Sequence, residues 1–247
     1  MAQSIVVTTS QLIVIASAVF VAGVIQVVAG FGFGLLSVPL MTIVVEPKIA
    51  IVVSSLIGAC ITSWQAIWQR ADVDWTLVRP MIASAYVGMP LGLVVFSTVN
   101  DDALRLVLGV TVIVAVVLLV LPIRIPVGRP LDIGAGFISG VLNTSLSTNG
   151  PPLVFALQAR RLASDTFRAT IVMVFALSNF VGITLFFAAG KVTAEGLRAA
   201  AIAIPATLVG QAVGIPLRRH VHGERFRWMV LGLLLLAGIS AIYASVR

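Results

Sequence analysis

Apolar runs of about 20 residues recur along the chain, separated by short polar stretches that hold nearly all of its charge. Six of these runs, 49–69, 79–97, 103–122, 169–189, 197–217 and 228–246, read as uninterrupted helices long enough to cross a hydrocarbon core of roughly 30 Å. Two further stretches do not fit that pattern. The first, 11–45, carries GFGFGLLSVP at residues 30–39, and the second, 131–159, carries GVLNTSLSTNGPPLVFAL at residues 140–157. Two complete crossings need about 40 residues and a turn. Each stretch is shorter than that and has glycine, proline or polar residues in its middle, which predicts a helix, a break and a second short helix. Such a segment either folds back as a hairpin or forms one broken crossing.

The basic residues separate these two models, because Lys and Arg concentrate in cytoplasmic loops. If both broken segments return to the side they entered, eleven basic residues fall on one side (Arg70, Arg79, Arg124, Arg129, Arg160, Arg161, Arg168, Arg218, Arg219, Arg225 and Arg227). Five fall on the other, Lys48, Arg105, Lys191, Arg198 and Arg247. Single crossings would reduce the split to nine against seven. The return model is therefore favoured, and it places both chain ends outside the cytoplasm.

An internal repeat accompanies the breaks. Pro39-Leu40 matches Pro152-Leu153, and VGMPLG at 87–92 matches VGQAVG at 209–214, aligning Gly88 and Gly92 with Gly210 and Gly214. The expected fold is an all-α integral membrane protein of two inverted-topology repeats, residues 11–122 and 131–246, joined by a linker at 123–130. Each repeat holds one broken or re-entrant helix pair and three transmembrane helices. Paired discontinuous helices in inverted repeats are the sequence pattern of secondary transporters, which bind substrate at the repeat interface. The GxxxG spacings read first as helix-packing surfaces.

Composition agrees with this picture: 60% of the 247 residues are hydrophobic, 10% are charged, and the mean hydropathy is +1.13. The formal charge of +7 would suggest nucleic acid in a soluble chain, but here it lies in loops and reads as an orientation signal. Cys60 stands alone, and His220 and His222 share one basic loop, so no metal site is expected. Residues 1–10 lack the basic start of a cleaved signal peptide. No acidic residue lies centrally in a span, which leaves proton coupling through a carboxylate unsupported. No Ser/His, Cys/His or paired-carboxylate set lies in the spans, so no catalytic residue and no cofactor is assigned.

The candidate site residues lie at the breaks. Glycines let backbone approach a ligand, and a helix starting after each break turns its N–H groups and positive dipole end toward the membrane interior, where oxyanions bind. Gly30, Gly32, Gly34 and Ser37 supply the first break. Asn143, Ser145, Ser147, Thr148, Asn149 and Gly150 supply the second, together with Thr144, and either cap the broken helices or contact substrate. Gln26, Asn179 and Gln211 are span amides expected to line the cavity, while the span Ser and Thr hydroxyls are expected to bond back to their own helices. The C-terminal ends of the preceding helices, near Ala29 and Leu142, would favour a cation at the same depth, so a co-transported ion remains compatible with the pattern.

The pairing of GFGFGLLSVP in the first half with STNGPP in the second, at this chain length, resembles the TauE/SafE family of sulfite and organosulfonate exporters. The resemblance implies a carrier of small sulfur-containing anions in the bacterial cytoplasmic membrane, with the lipid bilayer as its surroundings and no nucleic-acid partner. A channel is the alternative reading, because GFGFG is superficially similar to a potassium-channel filter. That filter needs four equivalent loops, and the second half offers STNGPP instead.

Overall fold

The computed structural model describes residues 8–121, 126–220 and 224–245, without the side chains at 9, 218–220 and 224–227. Arg124, His222 and Arg247, and the side chains of Arg218, Arg219, His220, Arg225 and Arg227, lie outside the described set.

Among the described residues the chain forms ten α-helices and no strand. They are α1 (Thr9–Ala29), α2 (Phe33–Met41), α3 (Pro47–Trp68), α4 (Trp75–Thr98), α5 (Asp101–Val120), α6 (Arg129–Leu146), α7 (Gly150–Ala159), α8 (Ser164–Ala188), α9 (Ala194–His220) and α10 (Glu224–Ser245). All six uninterrupted spans are present as α3, α4, α5, α8, α9 and α10, each starting two to five residues earlier than the apolar pattern suggests. The added first turns are polar and stabilised locally. Pro47 opens α3 with its preset φ, Asp74 accepts from the Thr76 N–H at 2.9 Å at α4, and Asn100 accepts from the Ala103 N–H at 2.9 Å at α5.

The first broken stretch opens with a helix that ends where expected, at Ala29, and starts two residues before the stretch. At 21 residues α1 is itself long and apolar enough to cross, giving seven such helices among the described residues in place of six. Its run ends only at Gly30, whose left-handed backbone (φ 83°) closes the last turn by donating its N–H to Gln26 O.

Both broken segments fold back. Gln11 Nε2, at the start of α1, donates to Val44 O beyond the end of α2 at 2.7 Å. Arg160, just past α7, holds Asp132 in the first turn of α6 through its Nε at 3.2 Å and its Nη2, and also reaches Gly128 O. A single crossing would leave each of these pairs on opposite faces. The other loops sort accordingly: Lys48 meets Asp101 at 3.7 Å at one end, while the Asp74 N–H donates to Thr170 Oγ1 at 3.1 Å at the other.

Four helix pairs carry most of the packing: α4 on α6, α1 on α9, α5 on α10 and α3 on α8. The first two are glycine contacts. A Cβ at Gly88 or Gly92 would overlap the Phe137 or Val141 carbonyl oxygen, and one at Gly136 or Gly140 would overlap those of Met81 or Ala85. Likewise Gly210 lies on Phe20 O, Gly214 on Val24 O and Gly23 on Thr207 O. Lipid offers these helices no hydrophobic incentive to associate, so close backbone approach supplies the attraction. Large apolar side chains on the outward faces of α4, α5, α9 and α10, such as Leu91, Val110, Val209 and Leu236, are left for the acyl chains.

Candidate functional site

The two breaks meet inside the bundle around a cavity of about 30 Å³. Gly32, Phe33, Gly34 and Leu35 of the first break line it, opposite Ser147, Thr148, Asn149 and Gly150 of the second. Gln26 of α1, Ser54, Gly58 and Thr62 of α3, and Phe175 and Asn179 of α8 complete the wall. None of these residues carries a formal charge.

Each break is a left-handed turn followed by a helix start, but the two are chemically different. In the first, Gly30 and Gly32 both take positive φ, and Gly32 precedes α2 without any side-chain cap. The first-turn N–H groups of Phe33, Gly34 and Leu35 therefore have no helical acceptor. In the second, Ser147 takes the left-handed position (φ 56°). Its N–H donates to Asn143 O at 3.0 Å and that of Thr148 to Leu142 O at 3.2 Å, a Schellman closure. Here α6 runs to Leu146, one turn beyond the expected end near Leu142. The following helix, α7, begins Gly150-Pro151-Pro152, so only Gly150 brings an N–H to its first turn. The expectation of free backbone donors at both starts thus holds at α2 and is largely cancelled by proline at α7. Side chains take their place: Thr148 Oγ1 and Asn149 Nδ2 are buried and have no hydrogen-bond partner.

The two matched prolines of the repeat sit differently. Pro39 is inside α2, which starts at Phe33. It removes a hydrogen bond to Leu35 O where Pro152, in the first turn of α7, removes none.

The remaining candidates divide by location. Asn179 is in the wall and donates from Nδ2 to Thr62 Oγ1 at 3.3 Å. Ser37 lies one layer behind the wall, 3.0 Å from Ser54 Oγ. Asn143 lies over Gly182 with its Nδ2 unpartnered, and Ser145 bonds back to Val141 O at 2.6 Å. Thr144 bonds across to Met89 O at 2.6 Å. Gly30 and Gln211 line a neighbouring pocket, where Gln211 Nε2 donates to Gln26 Oε1 at 3.5 Å.

Ser54 and Ser55 were expected to bond to their own helix and do not. Ser54 stands within hydrogen-bonding distance of Ser37, Ser55 Oγ donates to Ser147 Oγ at 3.1 Å, and Ser147 Oγ donates to Ser54 at 3.4 Å. These hydroxyls tie α2, α3 and the end of α6 together. The spacing 54, 58, 62 on one face of α3 is the signal that marks this wall, small or polar residues one turn apart within an apolar helix. Thr62 does bond back, to Gly58 O at 2.7 Å. Phe175 gives no such signal.

Seven apolar helices, two internal hairpins and an uncharged polar cavity between their tips define a multi-pass helical membrane protein of transporter type. The chain belongs to the sulfite exporter TauE/SafE family, whose family model matches residues 15–241. It is therefore a multi-pass transporter of the cytoplasmic membrane. Among curated proteins it is similar to the probable inner membrane transporter protein TsaS of Comamonas testosteroni, 30% identical over 108 residues that span 43% of this chain and 45% of that protein. It is also similar to the probable sulfite/organosulfonate exporter TauE of Cupriavidus necator, 24% identical over 231 residues covering 90% of each chain. The chain thus matches under half the length of the first relative and nine-tenths of the second. No solved structure matches it.

Proposed function

We propose that this chain is a secondary carrier of a small sulfur oxyanion, sulfite or an organosulfonate, held between the two breaks and moved by alternating access. The observation that carries the reading is the donor set: N–H groups of the α2 first turn face a wall with the unpartnered Thr148 Oγ1 and Asn149 Nδ2, and no carboxylate is present. Buried donors without acceptors cost about 1–3 kcal/mol each, and an anion removes that cost. Because the donors are neutral, the ion is held without the full charge that would hinder release. The names of the similar proteins support the sulfur chemistry, and the substrate class is taken from them.

Two inverted repeats, α1–α5 and α6–α10, underlie the carrier. The helix pairing supports this: exchanging the halves turns α4 on α6 into α9 on α1 and maps the α3–α8 and α5–α10 pairs onto themselves. The cavity of about 30 Å³ has room for about two waters, so loading the larger ion requires the walls to part. Toward one end it abuts the Gln26–Gln211 pair and a pocket of about 330 Å³. Toward the other, Phe96 and Phe186 meet at a tilt of 60° with ring centroids 5.0 Å apart, both almost fully buried. This is the asymmetry expected of a carrier open to one side.

Purified protein titrated with sulfite, sulfate, thiosulfate and short alkanesulfonates tests the substrate, and counterflow in proteoliposomes tests the mechanism. Saturable uptake driven by unlabelled sulfite or sulfonate on the opposite side is the expected result. Absence of binding to all of them overturns the substrate, and unsaturable flux without counterflow identifies a channel.

A further inference from the structure

Beside the break cavity lies a second pocket, about 330 Å³, formed by α1, α3, α8 and α9. It shares Gln26 with the break cavity. Its wall differs in one respect that matters: Arg168, at the start of α8, brings a permanent charge into it. Three further amides, Gln65, Gln69 and Gln211, converge on the same space, and Trp64 forms an apolar side. Four glutamines around one cavity in a membrane-spanning bundle are costly unless they face water, each other or a polar ligand.

The pocket is built where charge and access coincide. Gln69 caps the end of α3, and Arg168 stands in the second turn of α8, so the pocket is at the end of the bundle that also carries Arg70, Arg79, Arg129, Arg160 and Arg161. By the distribution of basic residues this is the cytoplasmic end. The stem of Arg168 lies over Gly30, where a Cβ would come within 3.4 Å of Arg168 Cγ, so the glycine that closes α1 also accommodates the arginine. At the opposite end, the pocket lined by Lys48, Lys191, Glu46 and Glu195 shares no residue with the break cavity. Of these two pockets, the Arg168 pocket is the one that shares a wall residue, Gln26, with the break cavity.

We propose that the Arg168 pocket is a second, outer anion station that captures a sulfonate or sulfite from the cytoplasmic side before it passes the Gln26–Gln211 pair into the break cavity. Arg168 is the charged group of this wall, and a guanidinium has five N–H donors, enough to give an SO₃ oxygen a charge-assisted hydrogen bond alongside its contacts within the protein. The glutamine amides replace water around the third oxygen, and the organic part of a sulfonate lies along Trp64. The outer station selects by charge and the inner one by neutral donors, so the ion gives up its strongest partner on entering the cavity. The pathway role rests on the carrier reading above, whereas anion binding at Arg168 does not.

Trp64 provides the readout. In full-length protein in lipid nanodiscs, with Trp68, Trp75 and Trp228 replaced by Phe, Trp64 emission is titrated with sulfite and with ethanesulfonate, using chloride as a control. The expected result is a saturable change with both sulfur anions, shifted to about tenfold higher concentration by Arg168→Gln and only partly restored by Arg168→Lys, which keeps the charge without the planar donors. Thr148→Val, in the inner cavity, should leave that titration unchanged. Circular dichroism and monodisperse elution show that each variant is folded. No saturable response, a response unaltered by Arg168→Gln, or one lost equally with Thr148→Val overturns the outer station. An Arg168-dependent response without counterflow supports the station and overturns the carrier. Counterflow with a Trp64 response indifferent to Arg168 does the reverse.

Discussion

Gly34 and Gly150 stand in the first turns of α2 and α7 on facing sides of one cavity, yet their surroundings set different tolerances. A Cβ at Gly34 would overlap the Ser147 carbonyl oxygen, which belongs to backbone and cannot rotate away, whereas one at Gly150 meets Phe175 and Phe31 side chains at 3.7 Å, an ordinary contact. Gly34→Ala should therefore push the breaks apart and abolish sulfite counterflow, while Gly150→Ala should stay within about twofold of wild type, a change under 0.5 kcal/mol. Thr148→Val tests the donor role separately. Removing a buried hydroxyl without a partner should leave thermal stability unchanged or raise it by about 1 kcal/mol, and raise the sulfite concentration that half-saturates counterflow, the readout of the inner cavity, by about tenfold. A merely structural role for Thr148 predicts a loss of stability instead. Ser147 shows the same priority of site over backbone ease: a left-handed position that glycine would occupy at no cost carries a hydroxyl that bonds Ser54 and accepts from Ser55.

At the level of helices, the glycine surfaces and the hairpin ties carry separate loads. Gly140→Ala would drive a methyl into the Ala85 backbone and separate α4 from α6, whereas Gly134→Ala, on the same helix, meets nothing within 4 Å. The first should lower the unfolding midpoint sharply and the second should leave it unchanged or raise it, since Ala is the better helix former by about 1 kcal/mol. The α6–α7 hairpin is held at its mouth by Asp132 and Arg160, with the carboxylate side chain only 4% exposed. Asp132→Asn leaves the half-buried Arg160 guanidinium uncompensated and should cost about 2 kcal/mol in a denaturation assay, with Asp132→Glu recovering part of it. The first hairpin is closed by the neutral Gln11–Val44 bond, so Gln11→Ala should cost about 1 kcal/mol.

For the whole molecule, the packing suggests which bodies move. The α1–α9 and α4–α6 pairs join helices from different halves of the sequence through backbone contact, so rocking that separates the sequence halves would have to break both glycine interfaces. On the carrier reading proposed above, the moving units are bodies containing one such pair each, with the breaks between them. In a background with Cys60 replaced by Ala, a short thiol cross-link between Phe96→Cys and Phe186→Cys should trap the closed end, stop counterflow and retain anion binding, with reversal by a reductant if the linker is cleavable. A cross-link within the α4–α6 pair should leave counterflow intact. Loss of transport in both, or in neither, would overturn this assignment of bodies.

Hydrophobic length and the positions of Arg, Gly and Pro were enough to read the helical membrane class, six of the long helices, the two breaks and their return, because hydrocarbon thickness and the exclusion of bare backbone from lipid act on the local sequence directly. The glycine pairs at 88/92 and 210/214 were legible as packing surfaces for the same reason. The end of α6 was not, because the polar residues from Asn143 continue the helix to Leu146 and only the left-handed Ser147 closes it. Nor was the division of the candidates around the cavity: Gly32, Gly34, Asn149 and Gly150 meet there, while Gly30 and Gln211 face the next pocket. Ser54 and Ser55 could have bonded to their own helix or across, and only the neighbouring Ser37 and Ser147 decided it. Which residues face one cavity depends on how distant helices rotate and slide against one another. That is set by tertiary packing, and local sequence does not encode it.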